Sequence, residues 1–327
     1  MDRVCLYFIE PPESDRWLPG DRFLRPLIRR LIRGRPPVSG VERVFLNLCS
    51  GLETLGVDFE INLPFSRLRP ADAVGVLGRG VNCLSEYDRP NPVVAGIGVM
   101  AHPAEAPDFC DRYPIAAYLQ HSQWVLDIFS PYFGNRCRLW ACGIDTEYWN
   151  LSKTQRPYDF LLYDKILWDR ARNEAELLGP IRANLEQRKL RFREIRYGHY
   201  TPDQYRAALA ECRAMLFLCE HESQGFAYQE CLASGVPVLA WNQGWWLDPN
   251  RFRWGTPIVP ATAVPFWDQR CGEQFHSIAE FEPALGRFIA RLEAGEYRPR
   301  EYVLEHLTLE KCARDYVTIL REAADSP

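Results

Sequence analysis

Two glutamates, Glu222 and Glu230, bracket a short Gly-containing stretch in "HESQGFAYQECLASGVPVLAW" (residues 221–241). Neither carboxylate has an obvious cationic partner nearby in the sequence, so the chemistry they suit is acceptance of hydrogen bonds from hydroxyl groups. A carboxylate of this kind can take both hydroxyls of a vicinal diol. Between them, Gly225, Phe226 and Ala227 read as the first turn of a helix, where unpaired N–H groups and the positive dipole end hold anions such as phosphate. Gly225 also lets backbone come close to a ligand. That arrangement requires a strand, a tight loop and a helix in succession. The apolar run "AMLFLC" before it and "VPVLAW" after it supply the strands.

The rest of the chain repeats this rhythm. "VERVFLNLCSGLETLG" from residue 41 carries Val41, Val44, Phe45, Leu48, Leu52 and Leu55 at helical spacing. Strands are expected at "FEINL", "AVGVL" and "PVVAGIGVM", and a helix at "SQWVLDIFSPYF". The second half continues with strand "YDFLLYDKI", a charged helix near "NEAELLGPIRANLEQRK", strand "LRFREIRY", helix "PDQYRAALAEC" and a long amphipathic helix over "VLEHLTLEKCARDYVTILREAA". Alternating strands and helices predict parallel, doubly wound α/β sheets. At 327 residues the chain suits two such domains. Their expected limits are 1–145 and 150–305, with a polar linker near 143–157 and a terminal helix, 306–327, packing back toward the first domain.

The segment "ESQGFAYQECLASGVPVLA" resembles the E-x7-E region of GT-B-fold retaining glycosyltransferases, the family 4 group. The match covers both acids, Ser223, Gly225, Gly235, Pro237 and the strand that follows. The resemblance implies a GT-B architecture: two Rossmann-like doubly wound domains facing a cleft, with a nucleotide-diphosphate sugar held mainly on the C-terminal one. It implies that Glu222 lies by the donor sugar and Glu230 holds the ribose. "PPVSGVERVFLNL" looks like the family's N-terminal loop and helix, with Ser39 where one of two glycines is common, so Ser39 and Gly40 are expected to approach the diphosphate. "GIDTEYW" resembles the signature that follows the first domain. His102, just beyond the strand in "GIGVMAHPAE", corresponds to a histidine that approaches the donor sugar; His121 and Ser122 are the competing choice, read as loop and helix cap. The family's Arg and Lys for the leaving diphosphate, usually in G-R-x-x-x-x-K-G, are replaced by "LLYDKILWDR", where Lys165 and Arg170 stand in reversed order.

The expected activity is therefore transfer of a sugar, with retention, from a nucleotide sugar to a glycan, lipid-linked or small-molecule acceptor. The alternative is a catalytically silent relative that binds the donor as a sensor or partner. There is no D-x-D at a strand end and no His/Cys/Asp cluster at metal-ligand spacing, which leads to the expectation of a metal-independent enzyme without cofactor. The absence of G-x-x-x-x-G-K-[ST], and of G-x-G-x-x-G opening a helix after the first strand, argues against ATPase and dehydrogenase chemistry. Nothing points to nucleic acid. Eleven scattered cysteines without a C-x-x-C pair suggest a reduced, cytoplasmic setting. Seven arginines between Arg16 and Arg35, against Asp21, give residues 22–35 a basic amphipathic character suited to peripheral membrane contact. Trp245 and Trp246 in "WNQGWW" are read chiefly as packing residues.

Overall fold

The structure, a computed structural model, describes residues 3–9, 38–78, 80–151, 155–255 and 258–325. The basic segment 22–35 lies outside the described residues. Two compact units are present, Met1–Gln120 with Phe129–Arg138 and Ala313–Pro327, and His121–Ile128 with Leu139–Cys312.

The first unit contains β1 (Val4–Ile9), α1 (Gly40–Thr54), β2 (Phe59–Ile61), β3 (Ala73–Gly78), β4 (Val93–Gly96) and β5 (Ile115–Gln120), then part of α2 (Gln123–Phe133) and β6 (Cys137–Leu139). Its sheet runs β2-β1-β3-β4-β5-β6, parallel from β2 through β5. Every residue of β3 and β4 is buried, as a parallel strand covered on both faces requires. Helix α1 starts at a capping box in which the Ser39 hydroxyl accepts from Glu42 N and Glu42 returns the bond to Ser39 N. It buries Val44, Phe45, Leu48 and Leu52, one stripe of its surface.

The second unit holds β7 (Tyr158–Lys165), α3 (Gly179–Gln187), β8 (Phe192–Arg196), α4 (Pro202–Glu211), β9 (Cys212–Cys219), α5 (Phe226–Ala233), β10 (Val238–Trp241), β11 (Gly272–Phe275), α6 (Ile278–Glu293) and α7 (Pro299–His306). All strand pairs in the order β11-β10-β9-β7-β8 are parallel. Strand alternation divides the core in two. Leu161, Tyr163, Met215, Phe217, Val238 and Ala240 pack with side chains of α4, α5 and α7. Phe160, Leu162, Leu216, Leu218, Leu239 and Trp241 pack with α3 and α6.

Two helices depart from expectation. The charged helix is preceded by a π turn at Glu174–Leu178, because Pro180 has no N–H to continue the ordinary ladder. The predicted terminal helix is two helices, α7 and α8 (Leu309–Asp325). Between them Thr308 bridges Ile144, Ile144 N donates to Leu307 O, and the Thr308 hydroxyl accepts from Lys311 N. A tertiary strand contact outweighs helical periodicity at this point.

Candidate functional site

In the second sheet β7 lies between β8 and β9, so the chain leaves β7 in one direction to reach β8 and returns past it to reach β9. This reversal is the switch point at which doubly wound sheets open a ligand crevice at the strands' carboxyl ends. Register makes Lys165, the last residue of β7, the partner of Cys219, the last of β9. Asp164 and Lys165 thus face Glu220, His221 and Glu222 across the edge, and Tyr197 follows β8 beside them, its N–H donating to Asp164 O at 2.8 Å.

Lys165 Nζ donates to Glu222 Oε1, and both side chains are largely buried, at 16% and 11% exposure. The ammonium also lies 4.6 Å from the Tyr197 ring centroid. Burial works against the charged lysine, but the Glu222 carboxylate overcomes it and holds the Lys165 pKa above its ordinary value. The Glu222 backbone is fixed on both sides: its N–H donates to Thr262 O at 2.9 Å and its carbonyl accepts from Trp124 Nε1 at 2.8 Å. Arg170 is directed elsewhere, to the buried Asp164 carboxylate at 2.7 Å and to Glu174 at 3.1 Å.

Glu220 is fully buried, and its Oε1 accepts from Leu167 N at 2.8 Å and Trp168 N at 3.0 Å, tying the loop after β7 to the end of β9. Burial pushes its carboxyl pKa up. His221 stacks on Trp168, centroids 5.1 Å apart, and burial pushes its pKa down to about 4. Neither Glu220 nor Tyr197 carries a local motif. The only signal that finds them is their position immediately after a strand.

Helix α5 begins at Gly225, whose φ is +83°, and a Cβ there would lie 2.1 Å from Tyr228 Cε1. The Tyr228 hydroxyl accepts from Phe266 N at 3.0 Å, so the ring has little freedom to yield. Gly225→Ala is therefore expected to destabilise the protein by on the order of 2 kcal/mol or more, read as a lower urea midpoint. The loop is held by Gln224, buried, which donates to Cys142 O at 3.0 Å and accepts from Cys142 N at 3.1 Å. It also donates to Gln229 Oε1 at 2.7 Å. Among the described residues, no carbonyl or side chain accepts from the amides of Gly225, Phe226 and Ala227. Glu230 follows one turn later at 9% exposure. Tyr200 feels its charge: burial, opposed by the Tyr163 hydroxyl and reinforced by Glu230, pushes the Tyr200 hydroxyl up to about 12. The two tyrosine oxygens are 2.5 Å apart.

The remaining expected residues belong to the first unit. Ser39 is committed to its capping box, whereas a Cβ on Gly40 would meet nothing within 4 Å, leaving open space over the start of α1. His102 is buried beyond β4, and its Nδ1 accepts from Ala104 N at 3.1 Å. That bond places the proton of the neutral ring on Nε2, and burial lowers the His102 pKa, which favours the neutral form. His121, in the second unit, has the opposite tautomer: Nδ1 donates to Trp140 O at 3.1 Å, since a carbonyl only accepts.

Burial pushes the His121 pKa down to about 4. A histidine held neutral stabilises the fold fully above its unfolded value, and that contribution is lost as pH falls from about 6.5 through 4. At pH 5 the loss from His121 is about 2 kcal/mol, and His221 adds to it. Glu220 opposes them, because its raised pKa favours folding at low pH and that help is lost as pH rises. Urea titrations at pH 7 and pH 5 should therefore show a shallower pH dependence in His121→Phe than in the parent chain.

With this geometry in place, the solved structures decide the architecture. AviGT4, a glycosyltransferase involved in avilamycin A biosynthesis, matches with a TM-score of 0.57 at 16% identity, covering 98% of this chain and 98% of its own. The lipopolysaccharide outer core galactosyltransferase WaaB, in its apo form, matches with a TM-score of 0.54 at 10% identity, over 98% and 99%. This is the GT-B fold. The N-terminal domain of Candida albicans trehalose-6-phosphate phosphatase also matches, with a TM-score of 0.51 at 9% identity over 98% and 97%, so the fold alone does not specify a reaction. No protein-family model matches the chain, and no curated protein matches its sequence. Among the described residues no group of three or more His, Cys, Asp or Glu side chains is arranged to hold a metal ion. No helix among them is long and apolar enough to cross a membrane.

Proposed function

We propose that the chain is a glycosyltransferase that moves a sugar from a nucleotide-diphosphate donor to an acceptor hydroxyl. The observation that carries this reading is the second unit's switch point, where Glu222 and Glu230 flank three helix-start amides that have no acceptor of their own. In this reading the amides of Gly225, Phe226 and Ala227 receive the diphosphate. Glu230 accepts the ribose hydroxyls, and Glu222 orients the donor sugar. Lys165, already charged through Glu222, stabilises negative charge on the departing phosphate, the electrostatic contribution that dominates most such reactions.

Transfer proceeds with retention and without a metal ion. The leaving phosphate itself takes the proton of the acceptor hydroxyl, so no protein nucleophile is needed. Arg170, bound to Asp164 and Glu174, has a supporting role in placing the loop after β7. The first unit takes up the acceptor.

A thermal-shift screen of nucleotide sugars tests the proposal, because a ligand at a hundred times its Kd adds about 2.7 kcal/mol of stability. At least one donor should raise the melting temperature and, with a matching acceptor pool, release its nucleotide diphosphate. A donor that stabilises the chain but is never turned over would mark a binding protein instead. No stabilisation by any nucleotide sugar would refute the reading.

A further inference from the structure

Between β10 and β11 the chain makes an excursion that closes on itself at the base. Ala261 N donates to Gly244 O at 2.9 Å, Trp246 N donates to Val259 O at 2.8 Å, and Trp245 forms an antiparallel bridge with Pro260. The base is anchored by Trp246, which is buried, stacks on Trp254 with centroids 6.1 Å apart and meets the Trp124 ring at a tilt, 6.0 Å away. The outer surface has the opposite character. Trp245 is 48% exposed, Phe252 60% and Ile258 75%, the last two being the most exposed large hydrophobic side chains among the described residues. Trp245 pairs with Pro260, two residues beyond Ile258.

Single exposed apolar residues are ordinary, but three on one short excursion mark a contact surface. The charges around them show what it contacts. Arg251 lies 4.2 Å from the Phe252 ring centroid, and Arg253 lies 5.9 Å from that of Trp254. Asp248, the acid between Gly244 and Ala261, caps Asn250 N at 2.8 Å, and Arg251 donates to the Asp248 carbonyl at 2.9 Å. We propose that this excursion, through Trp245, Phe252, Ile258, Arg251 and Arg253, seats the second unit on an anionic lipid surface. Aromatic and aliphatic groups enter the interface while the guanidiniums meet the headgroup phosphates. A sugar-stacking platform fits less well, since Arg251 already covers the Phe252 ring and Ile258 offers nothing to a hydroxyl. The proposal is independent of residues 22–35 and of the reaction proposed above.

Sedimentation of the full chain with vesicles tests it, using phosphatidylcholine alone and phosphatidylcholine mixed with phosphatidylglycerol. The chain should sediment with the mixed vesicles and far less with phosphatidylcholine alone. A variant carrying Trp245→Ser, Phe252→Ser and Ile258→Ser should lose at least about tenfold in partitioning. Arg253→Gln, a change at an exposed side chain, should lose about fivefold on mixed vesicles and almost nothing on neutral ones. Melting temperatures equal to the parent's show that the variants are folded; should the triple variant not fold, Arg253→Gln carries the test. Failure of the parent chain to sediment overturns the proposal, as does undiminished partitioning of the folded variants. Protection of Trp245 by soluble oligosaccharide without vesicle binding would also overturn it, and would assign the surface to a sugar.

Discussion

Lys165→Met is expected to cut sugar transfer by at least about a hundredfold, and the reason is separable from folding. The lysine, at the end of β7, and Glu222, three residues beyond the neighbouring β9, form a largely buried pair. Removing one member leaves the other charge without its partner, at a cost of about 3 to 5 kcal/mol. The single substitution therefore lowers stability as well as activity. Lys165→Met combined with Glu222→Gln removes both charges, and a pair replaced together is often close to neutral for folding. The double variant should regain most of the lost stability, measured by urea unfolding, and none of the lost turnover. If turnover returns with stability, Lys165 is only half of a structural ion pair, and the phosphate-stabilising role assigned to it is wrong.

Glu230→Ala should weaken nucleotide binding by about ten- to a hundredfold, the range expected when charge-assisted hydrogen bonds to a ligand are lost. The side chain is nearly buried on a helix whose other neighbours are packing residues, so stability alone is a poor readout. The ligand supplies a better one. Calorimetry with a ribonucleotide and its 2′-deoxy analogue should show discrimination in the parent chain and none in Glu230→Ala. Equal discrimination by both proteins would remove Glu230 from the ribose.

Much of this was legible in the sequence because it is local. Runs such as "AMLFLC" and "VPVLAW" are apolar throughout, as strands covered on both faces must be, and β9 and β10 lie where those runs stand. The spacing from Glu222 to Glu230 depends only on one loop and one helix, and the left-handed backbone of Gly225 is the conformation that a glycine there suggests. What was hidden is non-local. Tyr197 reaches Lys165, and Glu220 reaches the amides of Leu167 and Trp168, only through strand register. Arg170's partners Asp164 and Glu174 are close in sequence, but which of its neighbours a guanidinium binds is set by the folded turn after β7 and not by spacing. The division of the terminal helix at Thr308 was likewise invisible, since Ile144, more than a hundred and fifty residues earlier, provides the competing contact.

Amide hydrogen exchange in the presence and absence of a nucleotide diphosphate tests the central claim most directly. A phosphate seated on the start of α5 should slow exchange at Gly225, Phe226 and Ala227, with smaller protection around Glu230. If the nucleotide binds yet those three amides exchange at unchanged rates while protection appears elsewhere, the site has been placed on the wrong part of the molecule.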